Sequence, residues 1–124
     1  MKLSEVVYPD APPIDGYGPG FFRVGGEARR GAVMLLPDGS VLGWDGSGIA
    51  PLIEAAASVD VVIHGTGDEM AHAPAALREA VEGAGMGLEV MATPAACRTY
   101  NVLLGEGRRI AALLRPVGDS QPAA

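Results

Sequence analysis

The chain has 124 residues, 9 Lys+Arg against 15 Asp+Glu, and a single cysteine. That length is one domain's worth and buries roughly two thirds of the surface its unfolded form exposes, so no disulfide or metal staple is required. One cysteine excludes an internal disulfide, a paired-cysteine zinc site and a two-cysteine redox motif. The net charge of -6 argues against nucleic acid as a partner, and no apolar run approaches the ~20 residues of a membrane-spanning helix. Twenty alanines among 60 hydrophobic residues, beside 18 glycines and 6 aromatics, predict a core built on close backbone approach. Met1-Lys2-Leu3-Ser4-Glu5 lacks the apolar core of a signal peptide, so the expected address is cytoplasmic. Basic residues that are almost all arginine fit a GC-rich bacterial genome.

In chain order, residues 1–13 and 117–124 read as loosely ordered termini around one domain spanning 14–116. Phe21 to Val24, Ala32 to Leu36 and Val41 to Trp44 are short apolar runs separated by Gly25-Gly26 and Pro37-Asp38-Gly39-Ser40. Pro fixes φ, Asp bonds the backbone locally and Gly accepts positive φ, so these runs predict an antiparallel meander. Helical spacing then appears from Gly48 to Ser58, with Ile49, Leu52, Ile53, Ala56 and Ala57 on the apolar side. Val59 to Ile63 predicts a buried strand stopping at His64-Gly65-Thr66-Gly67. A second helix runs from Pro74 to the Gly83/Gly85 stop, and Leu88 to Met91 is the next strand. Thr93, a favoured N-cap, and Pro94, a favoured first helical residue, open a third helix reaching Leu104. Arg109 to Leu114 is the last strand. The pattern predicts a three-layer single α/β domain: a mixed, largely parallel sheet with helices and right-handed crossovers, and an N-terminal antiparallel meander joining it or covering a face.

In such sheets ligands favour the crevice outside the carboxyl ends of the parallel strands. Gly65, Thr66, Gly67 and Thr93 are expected there, with Arg98 and Asn101 one turn apart on the following helix, as candidate ligand-binding residues for a small anion. The glycines do not form a dinucleotide fingerprint, since Met70 stands where the third glycine belongs, and no Lys-Ser/Thr follows as in a P-loop. Turn geometry and close packing are the plainer reading. Between Ala92 and Val117 there are four arginines and one carboxylate, a local positive excess within an acidic protein. Cys97 lies a turn inside its helix, past the strand end where a cysteine phosphatase loop places its nucleophile. It is expected to be a buried structural thiol, although a meeting with His64 is conceivable. His64, Asp68, Glu69 and His72 match no trusted ligand spacing, so neither a metal nor a cofactor is expected, and no catalytic residue is assigned. Trp44 and the stripe of Ala96, Tyr100 and Leu103 read as core. The charge-free run Ala32 to Leu36 is expected inside a sheet and Phe21 to Val24, carrying Arg23, at an edge, in a monomer.

Gly16-Tyr17-Gly18-Pro19-Gly20-Phe21-Phe22, then Gly65-Thr66-Gly67, then Thr93-Pro94-Ala95-Ala96-Cys97-Arg98-Thr99-Tyr100-Asn101-Val102-Leu103 and Glu106-Gly107-Arg108-Arg109 form an ordered set. Together they closely resemble the small uncharacterised domain shared by mitochondrial respiratory complex I assembly factor three and the adipogenesis-associated domain protein, from about Ile14 to Pro116. The resemblance implies a three-layer α/β fold around a mixed sheet, and eukaryotic relatives that act in assembly of a respiratory complex through protein contacts. It carries over no catalytic residues. The chain shows no Arg-rich amphipathic leader, so organelle targeting is not expected. A non-enzymatic interaction or assembly protein with an unidentified protein partner is the first expectation, and a small-ligand or anion-binding domain using the crevice is the second.

Overall fold

Three stretches of this chain, residues 33–35, 61–63 and 110–114, are apolar at every position, which a strand can tolerate only when both faces of its sheet are covered. The computed structural model describes residues 11–118. It places these stretches in a five-stranded sheet, as β4 (Val33–Leu35), β6 (Val61–Thr66) and β8 (Ile110–Arg115), with β5 (Val41–Gly43) and β7 (Gly87–Met91) at the edges. The order is β5-β4-β8-β6-β7. β7, β6 and β8 run parallel, whereas β4 pairs antiparallel with both β8 and β5, so the sheet is mixed and its parallel part is three strands wide. A separate antiparallel sheet contains β1 (Ile14–Gly18), β2 (Phe21–Val24) and β3 (Glu27–Arg30).

Alternation along the strands sorts the core into two clusters, one on each face. One side receives Met34, Leu36, Val62, Ala111 and Leu113, packed under α1 (Ala50–Glu54) and α2 (Ala75–Gly83) through Leu52, Leu77 and Val81. The other receives Val33, Leu35, Ile63, Ile110, Ala112 and Leu114, packed under α3 (Thr93–Gly105) through Ala96, Cys97 and Tyr100 and under the small sheet through Ile14, Phe22 and Val24. Burying each large aliphatic or aromatic residue contributes about 1.5–3 kcal/mol, so the doubly covered β8 is the energetic centre.

Several sequence expectations change here. The predicted meander divides between two sheets: Gly25 and Gly26, both at positive φ, form a hairpin turn that sends the chain back as β3. That charged strand carries no apolar signal and was not expected. As a result Phe21–Val24 is the middle strand of the small sheet and not an edge, while Val33–Leu35 is interior as expected. The helix expected over 48–58 is only Ala50–Glu54 followed by a 3₁₀ turn at Ala56–Ser58. Its sole deep anchor is Leu52, and the Ala55 N–H is shared between the Pro51 and Leu52 carbonyls, which tightens the last turn. Of the stretches expected to be loose, Ala11 is buried, the Pro13 carbonyl accepts the Gly25 N–H (3.2 Å) and the Val117 carbonyl accepts the Gly20 N–H (2.9 Å). Residues 1–10 and 119–124 lie outside the described residues. Among the described residues no helix is long and apolar enough to cross a membrane.

Candidate functional site

β6 leads into α2 on one face and β7 into α3 on the other, so the crevice predicted by strand topology opens between the carboxyl ends of β6 and β7. Gly65, Thr66, Gly67 and Thr93 come together there. Their polar groups are engaged with one another. The Gly67 N–H donates to Thr93 Oγ1 (2.9 Å), the Thr93 hydroxyl donates to the Arg115 carbonyl (2.6 Å), and the Thr93 N–H donates to the Gly67 carbonyl (2.8 Å). The Thr66 hydroxyl donates to the Glu69 carbonyl (2.7 Å) and accepts the Ala71 N–H (3.1 Å), which shapes the loop leaving β6. Thr93 is fully buried, so its bonds tie the ends of β6 and β8 to the start of α3 in a dry environment where each is hard to break.

Thr93 was expected to cap α3. Instead Ala92 holds the N-cap position with no side-chain cap, and Thr93 is the first helical residue. Its hydroxyl is drawn away by the Arg115 carbonyl, a stronger claim than a cap because that carbonyl ends the central strand β8. With Thr93 N–H engaged and Pro94 lacking one, the first turn of α3 offers few free donors.

Gly65 explains how α3 comes so close. A Cβ there would lie 2.8 Å from Thr93 Oγ1, 3.0 Å from Leu114 Cδ2 and 3.1 Å from the Ala96 Cβ. Asn101 has an equally structural engagement: its Oδ1 accepts the Ile14 N–H (2.9 Å) and its Nδ2 donates to the Ile14 carbonyl (2.8 Å), clamping β1 onto α3. Arg98 is exposed on α3 and has no ion-pair partner among the described residues. The other arginines of that region diverge. Arg109 grips Asp60 through Nη2 (2.7 Å) and Nε (3.3 Å), and Arg115 lies over the Trp44 ring at 5.4 Å.

Cys97 and His64 occupy opposite faces of the sheet, which excludes the conceivable thiol–imidazole pair. Burial pushes the Cys97 thiol up to about 12, and the nearby Arg98 opposes this only weakly. His64 is buried against Trp44, ring to ring at 5.7 Å and 80°. Its Nδ1 lies 2.9 Å from the Leu113 carbonyl, an acceptor, which assigns the proton to Nδ1 and leaves Nε2 unprotonated. Desolvation holds its pKa below the ordinary histidine value, with the Arg115 charge acting in the same direction against the Leu113 hydrogen bond. Trp44 Nε1 is buried without a hydrogen-bond partner among the described residues. No local signal joins residues 44, 64 and 115; only the strand pairing assembles this cluster. No three His, Cys, Asp or Glu side chains gather into a metal-binding group among the described residues.

Among the described residues two cavities open on the α1/α2 side, neither visible in the sequence. One of about 460 Å³ lies between the β4–β5 turn and α1, and one of about 290 Å³ lies between the 46–49 loop and α2.

Known proteins share this frame. The family described as "Protein of unknown function (DUF498/DUF598)" matches residues 14–115. An uncharacterized protein of Rhodobacter capsulatus is 42% identical over 125 positions that cover all of both chains. NADH dehydrogenase (ubiquinone) 1 alpha subcomplex assembly factor 3 of Rattus norvegicus is 30% identical over 129 positions, covering 97% of this chain and 69% of that one. The solution structure of a Bordetella pertussis protein, a Mth938-like domain, is similar with a TM-score of 0.74 at 27% identity, over 97% of this chain and 95% of that one. Sequence match and shared architecture agree, and the chain belongs to the DUF498/DUF598 family with its Mth938-like fold.

Proposed function

We propose that this chain is a non-enzymatic interaction protein that helps assemble a membrane-bound respiratory complex. The observation that carries the reading is the relationship, along nearly its whole length, to a protein named as an assembly factor for NADH dehydrogenase. The site geometry supports it: Thr66, Gly67, Thr93 and Asn101 direct their polar groups to the fold itself, and Cys97 is a buried thiol held far from its ionised form. Deleting the gene in its native cell tests it, with the respiratory NADH dehydrogenase resolved on native gels. The expected outcome is loss or stalling of the full-sized complex, restored by the wild-type gene. An unchanged complex, together with turnover of a small molecule by the purified protein, would sink the reading.

Anion binding is the second reading, and the observation in its favour is Arg98 on α3, exposed and without an ion-pair partner among the described residues. A thermal-shift panel of phosphates, nucleotides and carboxylates tests it. The reading requires stabilisation that Arg98→Ala abolishes, and flat curves across the panel count against it.

A further inference from the structure

Charge is divided unevenly along this chain. Residues 32–92 hold nine carboxylates and one arginine, whereas residues 11–31 and 93–118 together hold three carboxylates and seven arginines. The fold carries part of that division into space, because the first segment builds α1, α2 and their loops on one side of the large sheet and the others build α3 and the small sheet on the opposite side; Arg115, which reaches over Trp44, and Arg109, which pairs with Asp60, are the exceptions. The lone arginine of the acidic segment, Arg78, is paired with Glu82 at 2.8 Å. Incomplete packing coincides with the acidic side. The groove of about 460 Å³ has an apolar floor of Leu36, Pro37, Pro51 and Ala55, carries Asp38 and Glu54, and is lined by no basic residue among the described residues. Hydrogen bonds from Ser40 hold the Asp38 carboxyl below the usual carboxylate range, so it is charged throughout the neutral range. Beside Glu54, Ile53 exposes 38% of its surface.

We propose that this groove docks an extended cationic segment of a partner protein, with an apolar side chain on Leu36, Pro51 and Ala55 and a neighbouring Arg or Lys against Asp38 and Glu54. Charge complementarity selects the occupant, because apolar area alone would accept any chain whereas two unneutralised carboxylates favour a cation and repel an acidic segment. The proposal rests on the interaction reading above and specifies the chemistry of the partner. Among the described residues the second cavity is lined by Gly46, Ser47, Ile49, Pro74, Ala76, Leu77 and Ala80, without a charged side chain, and therefore serves as an internal control.

The test titrates isotopically labelled protein with N-acetyl-leucyl-arginine amide and, separately, N-acetyl-leucyl-glutamate amide, following backbone amide signals. The arginyl peptide is expected to shift Leu36, Glu54, Ala55 and Ser58 at millimolar concentration, and the glutamyl peptide is not. Asp38→Asn with Glu54→Gln keeps the shape and the acceptor for the Ser40 N–H. This double variant should bind the arginyl peptide ~5-fold more weakly, as loss of two exposed ion pairs implies, with an unchanged melting midpoint. Equal shifts from both peptides, or shifts centred on Ile49, Leu77 and Ala80, overturn the proposal. A concentration-dependent dimer that the double variant abolishes would also overturn it, by making a second copy the occupant. A benzophenone amino acid placed at Ile53 or at Val102, on exposed α3, separates the two levels. Capture of a partner through Val102 but not Ile53 removes the groove and leaves the interaction reading standing, whereas silence at both positions and an empty affinity purification remove that reading as well.

Discussion

The two faces of the five-stranded sheet are built to different standards. Under α3 the helix is 13 residues long, Gly65 lets it approach to contact distance, and Thr93 and Asn101 each fasten it by paired hydrogen bonds. Under α1 and α2 the first helix has five residues and one deep anchor, two cavities remain, and the buried polar pair His64 and Trp44 is only partly satisfied. Strand topology points to the carboxyl ends of β6 and β7 as a binding crevice, yet hydrogen bonds within the chain cross that crevice. The open surface lies on the other face, where short elements cannot fill the space. Topology thus locates a crevice, and side-chain satisfaction governs whether it stays open.

Four measurements would break or sharpen that contrast. The largest effect concerns Cys97. With its thiol pushed up to about 12, the reactive thiolate at neutral pH is about three thousandfold scarcer than for a free cysteine of pKa ~8.5. Alkylation in the native state should be slower than in denaturant by orders of magnitude, and rapid native labelling would show the α3 face to be loose.

Next come substitutions at the junction. Thr93→Val removes the hydroxyl that serves both Gly67 and Arg115, leaving a buried donor and a carbonyl without their partner, and should cost about 2–4 kcal/mol by denaturant unfolding. Gly65→Ala drives a Cβ into Thr93, Leu114 and Ala96 and should cost about 1–3 kcal/mol through overpacking. Ile53→Ser on the looser face should stay within about 0.5 kcal/mol. Equal losses on the two faces would erase the distinction drawn here.

A pH series probes the other face. His64 has a depressed pKa in the folded state, so below about 6.5 the unfolded chain takes up a proton that the native chain refuses. Stability associated with neutral His64 is therefore complete above that pH and declines as the pH falls through 6 toward 5. This window is distinct from that of Asp38, Asp45 and Asp60, whose depressed pKa values stabilise above about 4 and are lost in stronger acid. His64→Gln should flatten the 5–7 window while leaving the acid limb in place. An unchanged slope would place the titration elsewhere.

The smallest effect is at Arg109. Its two contacts with Asp60 join the start of β8 to the turn before β6, but both side chains are more than half exposed, so Arg109→Ala should cost less than about 1 kcal/mol and less still in high salt. A larger loss would mean that the β6–β8 start depends on this ion pair more than on its packing.

The second half of the chain was largely legible from local pattern. Pro74, Gly83 and Gly85 bounded α2, and the junction at Thr93-Pro94 marked the start of α3 within a residue. Short-range physics suffices there, since apolar periodicity and the backbone limits of Pro and Gly act over a few residues. The first half was harder to read because Glu27–Arg30 is a strand held by its hairpin partner and not by apolar alternation. Family membership was legible as well, because its motifs run along the chain in order.

By itself, the sequence determined one α/β domain, the elements of its parallel half, an interior β4 and a buried Cys97 without a partner cysteine. Tertiary structure alone decided that Cys97 and His64 face opposite sides, that Asn101 clamps Ile14 across 87 positions of chain, and that Asp38 and Glu54 line one open groove. Each of these depends on strand order and register. A side chain's face follows from its parity within a paired strand, and its partners follow from which distant strand lies beside it, neither of which is encoded in the few residues around it.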